Sequence, residues 1–235
     1  MARREPEPIM RAFGSHLADA TGMLASSRSK RDEVFSTLSK LRIAPPSVDL
    51  IRVGSAHDGG YLVPDDVEGI QACYSPGADN RWEFEDELLA KFGIPSIVCD
   101  SREALVDCPH TSDALWLGAT DDDSQITLES WVDRRHSENR DLLLQMDIEG
   151  HEYLALLSAP ARCMKKFRIV VLELHHLHRV ADPVFRELLL DPLLSKLQDT
   201  HVLVHAHPNN NARPRRAAGQ LVPPLLETTW LRRDR

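Results

Sequence analysis

The sequence predicts an α/β protein built on a doubly wound, mostly parallel sheet, and three observations predict it. Short apolar runs without a helical period recur along the chain, as strands buried on both faces of a parallel sheet require. Amphipathic patterns of helical period separate them, which is the alternation of βαβ units. Several runs end in an acid or a glycine turn, at the strand ends where open α/β sheets bind ligands. A chain of 235 residues suits one such domain with an appendage.

The appendage is residues 1–45, and the main domain is expected over 46–235. Ile9, Met10, Phe13, Leu17, Met23, Leu24, Val34, Phe35, Leu38 and Leu41 give a broken helical period, interrupted at Ser26–Ser29. The pattern predicts two helices that form a cap or a contact between copies of the chain. Pro45-Pro46 closes the region.

Leu50–Gly54 reads as a strand, and Asp58-Gly59-Gly60-Tyr61 as a tight turn into a second one, hence a hairpin. Gln71–Asn80 then gives strand and glycine turn, with a helical pattern over Trp82–Phe92. One glycine, Gly77, is not the GxGxxG of a pyrophosphate cradle, which leaves open a cofactor needing a single close backbone approach. Ile94–Asp100 is a second buried strand ending in an acid. Asp100 follows Gly77 at about the interval of a ribose-binding carboxylate. Ala114–Thr120 reads as a third strand, and Asp121-Asp122-Asp123 as a solvated loop. Thr127 and Ser130 are candidate caps for the next helix.

Asp141–Asp147 is the central strand, and it breaks off into Ile148-Glu149-Gly150-His151-Glu152, with a helix expected over 151–158. Arg168–Leu174 is a fifth buried strand, carrying Glu173 near its end and followed by His175, His176 and His178. Asp182–Leu197 has the pattern of one long amphipathic helix. His201–His207 is a sixth strand, with His205 and His207 on one face because strand side chains alternate. Arg213–Gly219 is a basic loop, and Leu225–Leu231 the last strand.

Composition excludes several functions. A net charge of −8 opposes nucleic-acid binding by bulk electrostatics. The four cysteines form no CxxC pair, so neither a zinc ribbon nor a thioredoxin-type site is indicated. No apolar run approaches the ~18 residues of a bilayer span, and the N-terminus lacks the apolar core of a signal peptide. A cytoplasmic protein is expected.

Asp147-Ile148-Glu149-Gly150-His151-Glu152 resembles the Lys-Ile-Asp-Val-Glu-Gly-x-Glu signature of the FkbM-type branch of the Rossmann-like S-adenosylmethionine-dependent methyltransferases. Asp58-Gly59-Gly60-Tyr61, Ser75–Asn80, Asp100 and Thr127-Leu128-Glu129 add to the resemblance, which covers residues 50–235. It implies a Rossmann-like, seven-stranded sheet with an antiparallel last strand. It implies S-adenosylmethionine as cofactor and O-methylation of a hydroxyl on a sugar or small natural product. Carried over by position, it puts Tyr74, Ser75, Gly77 and Asp79 near the methionine part, and Asp100 and Ser101 near the ribose. Thr120 and Asp121 fall near the adenine, and Asp147 and Glu149 face the reacting centre. Gln145 departs from the pattern, standing where the signature has lysine.

An alcohol acceptor must lose a proton, to a carboxylate or imidazole or with help from a divalent ion. Asp147, Glu173, His175, His205 and His207 are the candidate catalytic groups. Asp147, Glu173 and His175 are also candidate metal ligands, a set that suits a transition metal better than Mg²⁺. The expected partner is a small-molecule acceptor, with neither nucleic acid nor membrane span, and with self-association through the N-terminal helices. Two other functions fit the same residues: a metal-dependent hydrolase, and a methyltransferase-like module that binds without turnover.

Overall fold

The computed structural model describes residues 29–57, 59–77, 80–138, 141–210 and 212–235. The expected first N-terminal helix lies outside the described residues. The second is helix α1, Arg31–Ser39. It packs onto the same chain: Val34 is fully buried in the main core, and Thr37 donates to Asp191 at 2.8 Å.

Seven strands form one sheet: β3 (Cys73–Pro76), β4 (Ser96–Cys99), β5 (Thr111–Asp113), β8 (Leu142–Met146), β9 (Phe167–Leu174), β10 (His201–Pro208) and β13 (Leu226–Arg232). Their spatial order is β10-β13-β9-β8-β3-β4-β5. From β9 through β8 and β3 to β5 all neighbours are parallel, whereas β13 runs antiparallel to both β9 and β10. The chain steps outward from β3 to β5, then returns to β8 on the other side of β3. That reversal opens a crevice at the carboxyl ends of β3 and β8.

Burial explains the central strands. Every residue of β8 and β9 is buried, because both faces of the sheet are covered. Alternate side chains enter two layers. Leu142, Leu144, Phe167, Val170 and Leu172 pack under helices α3 (Leu128–Asp133), α4 (Glu152–Ser158) and α5 (Ala161–Met164). Leu143, Ile169 and Val171 pack under helix α2 (Glu83–Phe92) and the hairpin of β1 (Leu50–Gly54) and β2 (Gly60–Pro64). Helix α2 carries Glu83, Glu85 and Asp86 in its first turn and Lys91 in its last, and Gly93 closes it at φ +68°.

Three expectations are corrected. The strand beside β4 is Thr111–Asp113; the apolar stretch after it forms β6 (Trp116–Gly118), paired in parallel with β7 (Gln125–Thr127) outside the main sheet. An edge strand has little to bury, so its polar sequence carries no apolar signal. The single helix over 182–197 is broken. Short helix α6 (Pro183–Phe185) passes through a π-turn at Arg186–Leu190 into α7 (Asp191–Thr200). Pro192 lacks the N–H that a regular helix would use there, and its ring crowds the carbonyl four residues back. The basic segment after residue 212 includes strand β11 (Arg215–Ala217), which pairs with β12 (Gln220–Val222).

Candidate active site

A cleft of about 830 Å³ opens at the carboxyl ends of β3, β4 and β8. Gly77, Asp100, Asp147 and Glu149 all line it. Gly77 sits at φ +83°, and a Cβ there would lie 1.8 Å from the Asp147 carbonyl oxygen. Only glycine lets the turn after β3 approach the end of β8 so closely. Asp100, 8% exposed, accepts from the Ser101 backbone at 2.6 Å. Trp116, Leu117 and Gln125 of the β6–β7 pair form the opposite wall.

Asp147, Glu149, Glu173 and His175 converge where β8 and β9 end. His175 Nε2 lies 3.6 Å from Asp147 and 3.4 Å from Glu149. Glu152, fully buried, holds this corner together. One of its oxygens accepts from the His175 backbone N–H at 2.7 Å, the other from the Gly150 backbone at 2.8 Å. His175 Nδ1 lies 3.4 Å from Glu152 and 3.2 Å from the Glu173 carbonyl oxygen. Tyr153 donates to the His175 carbonyl at 2.5 Å. Asn209 donates to the Glu173 carboxylate at 2.9 Å.

The electrostatics follow from this crowding. Burial raises Asp147 above the usual carboxylate range, against the opposing effects of Glu173 and His175. Burial, then the charge of Asp147, pushes Glu173 up to about 8. Burial works against the His175 cation, but Glu152, Asp147 and Glu173 outweigh it and hold His175 up at about 9. The charge of Asp147 disfavours ionisation of Glu173, so the pair does not readily carry two negative charges. Glu149 stands at φ +55°, a conformation rare outside glycine, next to Gly150 at φ +103°. Strained backbone of this kind clusters at functional sites.

The other predicted residues divide. Tyr74 points into the opposite core layer, where its hydroxyl meets His136 Nδ1 at 2.8 Å and its ring packs edge-on to Trp131. Ser75 is buried beneath the cleft, its hydroxyl against Glu85 and 2.5 Å from Gln145 Oε1. Ser101 Oγ accepts from the Ala104 backbone. Thr120 accepts from Gln125, and Asp121 from the Thr127 backbone and the Ser130 hydroxyl, at the start of α3. Asp79 lies outside the described residues. His205 and His207 stack on each other in β10. In the ladder His207 pairs with Glu227 and Glu227 with Glu173, which puts His207 two strands, roughly 10 Å, from the cluster.

Sequence reasoning missed Glu85, Tyr61 and Gln145 as a connected group. Glu85, 3% exposed, lines the cleft from α2, and burial raises its carboxyl. Gln145 accepts from Ser75 and donates to the Tyr61 hydroxyl at 3.4 Å. Burial, then Asp147 and Glu173, raise the Tyr61 phenol. A glutamate inside an amphipathic helix looks like solvated charge. The signal that could have found it is its place in the first turn of the helix that follows the Gly77 turn.

The class these features define is an α/β protein with its site at the strand ends, where acids from β4, β8 and β9 meet a glycine turn from β3. Residues 109–216 match the family model of the methyltransferase FkbM domain, just under half of the chain. The stretch contains Asp147–Glu152, so the resemblance drawn from that motif is borne out there, and the match supports a methyltransferase. The Gly77 turn and Asp100 precede the matched residues. No curated protein matches the chain. Among the described residues, no helix is long and apolar enough to cross a membrane.

Proposed function

We infer that the protein is a Rossmann-like, S-adenosylmethionine-dependent O-methyltransferase acting on a hydroxyl of a sugar or small natural product. The observation that carries the reading is one cleft lined by Gly77, Asp100, Asp147 and Glu149 together. The volume suits a cofactor of that size. Its lining suits the chemistry: carboxylates for a ribose diol and a cationic amino-acid head, and the flat Trp116 face for a base.

The cofactor, when bound, supplies a methyl carbon on a sulfonium sulfur, open to in-line attack. Gly77 admits the methionine part beside β3, with Glu85 and Asp147 facing its ammonium group. Asp100 takes the ribose hydroxyls. Trp116, Leu117 and Gln125 hold the base, the part that sequence carried over to Thr120 and Asp121. An acceptor hydroxyl would lie beside Asp147, and the Asp147–Glu173–His175 cluster would take its proton as the oxygen–methyl bond forms and the methyl–sulfur bond breaks, leaving a neutral thioether. Most of the acceleration comes from alignment of the two partners. His205 and His207 are two strands away from that proton and do not line the cleft.

Calorimetric titration with S-adenosylmethionine tests the reading. One molecule binds per chain at micromolar Kd. Asp100→Ala weakens binding by about 10- to 100-fold, the loss of a charge-assisted hydrogen bond. Absence of any cofactor binding by the folded protein would sink the proposal.

A further inference from the structure

We propose that Asp147, Glu149 and His175 form a site for one divalent transition-metal ion, of the Mn²⁺ or Zn²⁺ class. One ligand atom from each residue lies within 4.8 Å of the others, and His175 Nε2 is 3.4 Å and 3.6 Å from the two carboxylates. Ligand atoms ~2.1 Å from a shared ion lie at about such separations. Only small side-chain shifts are needed to close the set.

Two further observations point to a ligand there. Asp147 Oδ1 is buried and makes no hydrogen bond among the described residues; its cationic neighbour there is His175 Nε2, at 3.6 Å. His175, with a side chain 4% exposed, aims Nε2 at Asp147 and Glu149 because its other side is held. Nδ1 faces the Glu173 carbonyl and the buried Glu152, and the His175 backbone is tied to Glu152 as well. A histidine whose far nitrogen is fixed by a carboxylate or carbonyl is the usual metal-ligand arrangement.

Glu149 completes the set from outside. Its side chain is 87% exposed while its backbone is held at φ +55° over the corner. Glu149 therefore replaces Glu173, which sequence had grouped with Asp147 and His175. Glu173 is engaged by Asn209 and Asp147 instead. One imidazole with two carboxylates favours a transition-metal ion over Mg²⁺. The ion takes the place of the Nε2 proton, which leaves to solvent. The site stands on geometry; its role, to acidify an acceptor hydroxyl, rests on the transferase reading.

The test is calorimetric titration of the whole, metal-stripped protein with Mn²⁺ and Zn²⁺, backed by Mn²⁺ electron paramagnetic resonance. One ion per chain binds at micromolar Kd. Asp147→Asn and His175→Ala weaken it at least about tenfold, and Glu152→Gln, a positioning change, by about 10- to 100-fold. Circular dichroism checks each fold. Because Glu149 is exposed, Glu149→Ala keeps the test decisive if a buried variant fails to fold, and it too weakens binding about tenfold. Asp122→Asn, in the exposed acidic loop, leaves the Kd unchanged. No metal binding, or binding indifferent to Asp147, Glu149 and His175, overturns the proposal. Cofactor binding, titrated separately, distinguishes failure of this site from failure of the transferase reading.

Discussion

Single residues show how far chemistry can be read without neighbours. His201 reads from sequence as a strand residue and nothing more. In the structure it is fully buried, Nε2 donating to the Phe167 carbonyl at 2.9 Å and Nδ1 facing the Thr200 hydroxyl at 2.7 Å. Burial holds it neutral and lowers it to about 4, against an ordinary 6.5, while the Phe167 carbonyl opposes the shift. Between those two values the unfolded chain binds a proton that the folded protein refuses. The contribution to stability is therefore complete above about pH 6.5 and is lost as pH falls toward 4. It amounts to roughly 3 kcal/mol. Urea unfolding at pH 7 and pH 4.5 should show a smaller acid loss for His201→Gln than for the unchanged protein. Equal slopes would show that His201 does not carry this acid sensitivity. A second residue-scale expectation concerns Gly77→Ala. A Cβ 1.8 Å from the Asp147 carbonyl, on a backbone at φ +83°, must push the two turns apart. Stability falls by about 1–3 kcal/mol, and cofactor affinity falls with it, which denaturant melts and titration measure together.

At the scale of elements, periodicity reports burial, and it reports nothing where burial is slight. β8 and β9 are legible because all their residues are buried. β5, with Thr111 and Ser112 exposed, is not. Helix α3 shows the complementary case, where local chemistry is legible but its purpose is not. Thr127 caps the helix, accepting from the Ser130 backbone at 3.2 Å, as its position suggests. Asp121 also serves this helix start, bonding Thr127 and Ser130, although the family pattern assigns it to the cofactor. Thr127→Ala should cost about 1 kcal/mol of stability in a thermal or urea melt. Asp121→Ala should leave the cofactor Kd within about twofold, as a surface change does. A tenfold weakening would return Asp121 to the binding site.

At the scale of the whole molecule, the cleft is assembled from turns distant in sequence, so its ligand should stabilise the fold as a unit. Cofactor at 100 times its Kd should add about 2.7 kcal/mol and raise the melting temperature by about 5–10 °C for a chain of this size. Differential scanning calorimetry with and without S-adenosylmethionine measures that shift. No shift at saturation would count against binding to the folded state.

The sequence by itself determined the α/β alternation, the central strand and the motif Asp147–Glu152, because these depend on neighbours along the chain. It also singled out Gly77 and Asp100, since a glycine turn and a strand-end acid are local signals. Only the tertiary structure decided which groups share the site. Glu85 comes from a helix, Tyr61 from the hairpin, Glu173 and His175 from the end of β9 and Asn209 from the turn that follows β10. Nothing along the chain links them until the sheet brings their ends together. The same packing sent the Tyr74 side chain into the core and Asp121 to a helix cap, and it left His205 and His207 two strands from the cluster. Strand order and face are settled by long-range burial, which a one-dimensional pattern does not encode.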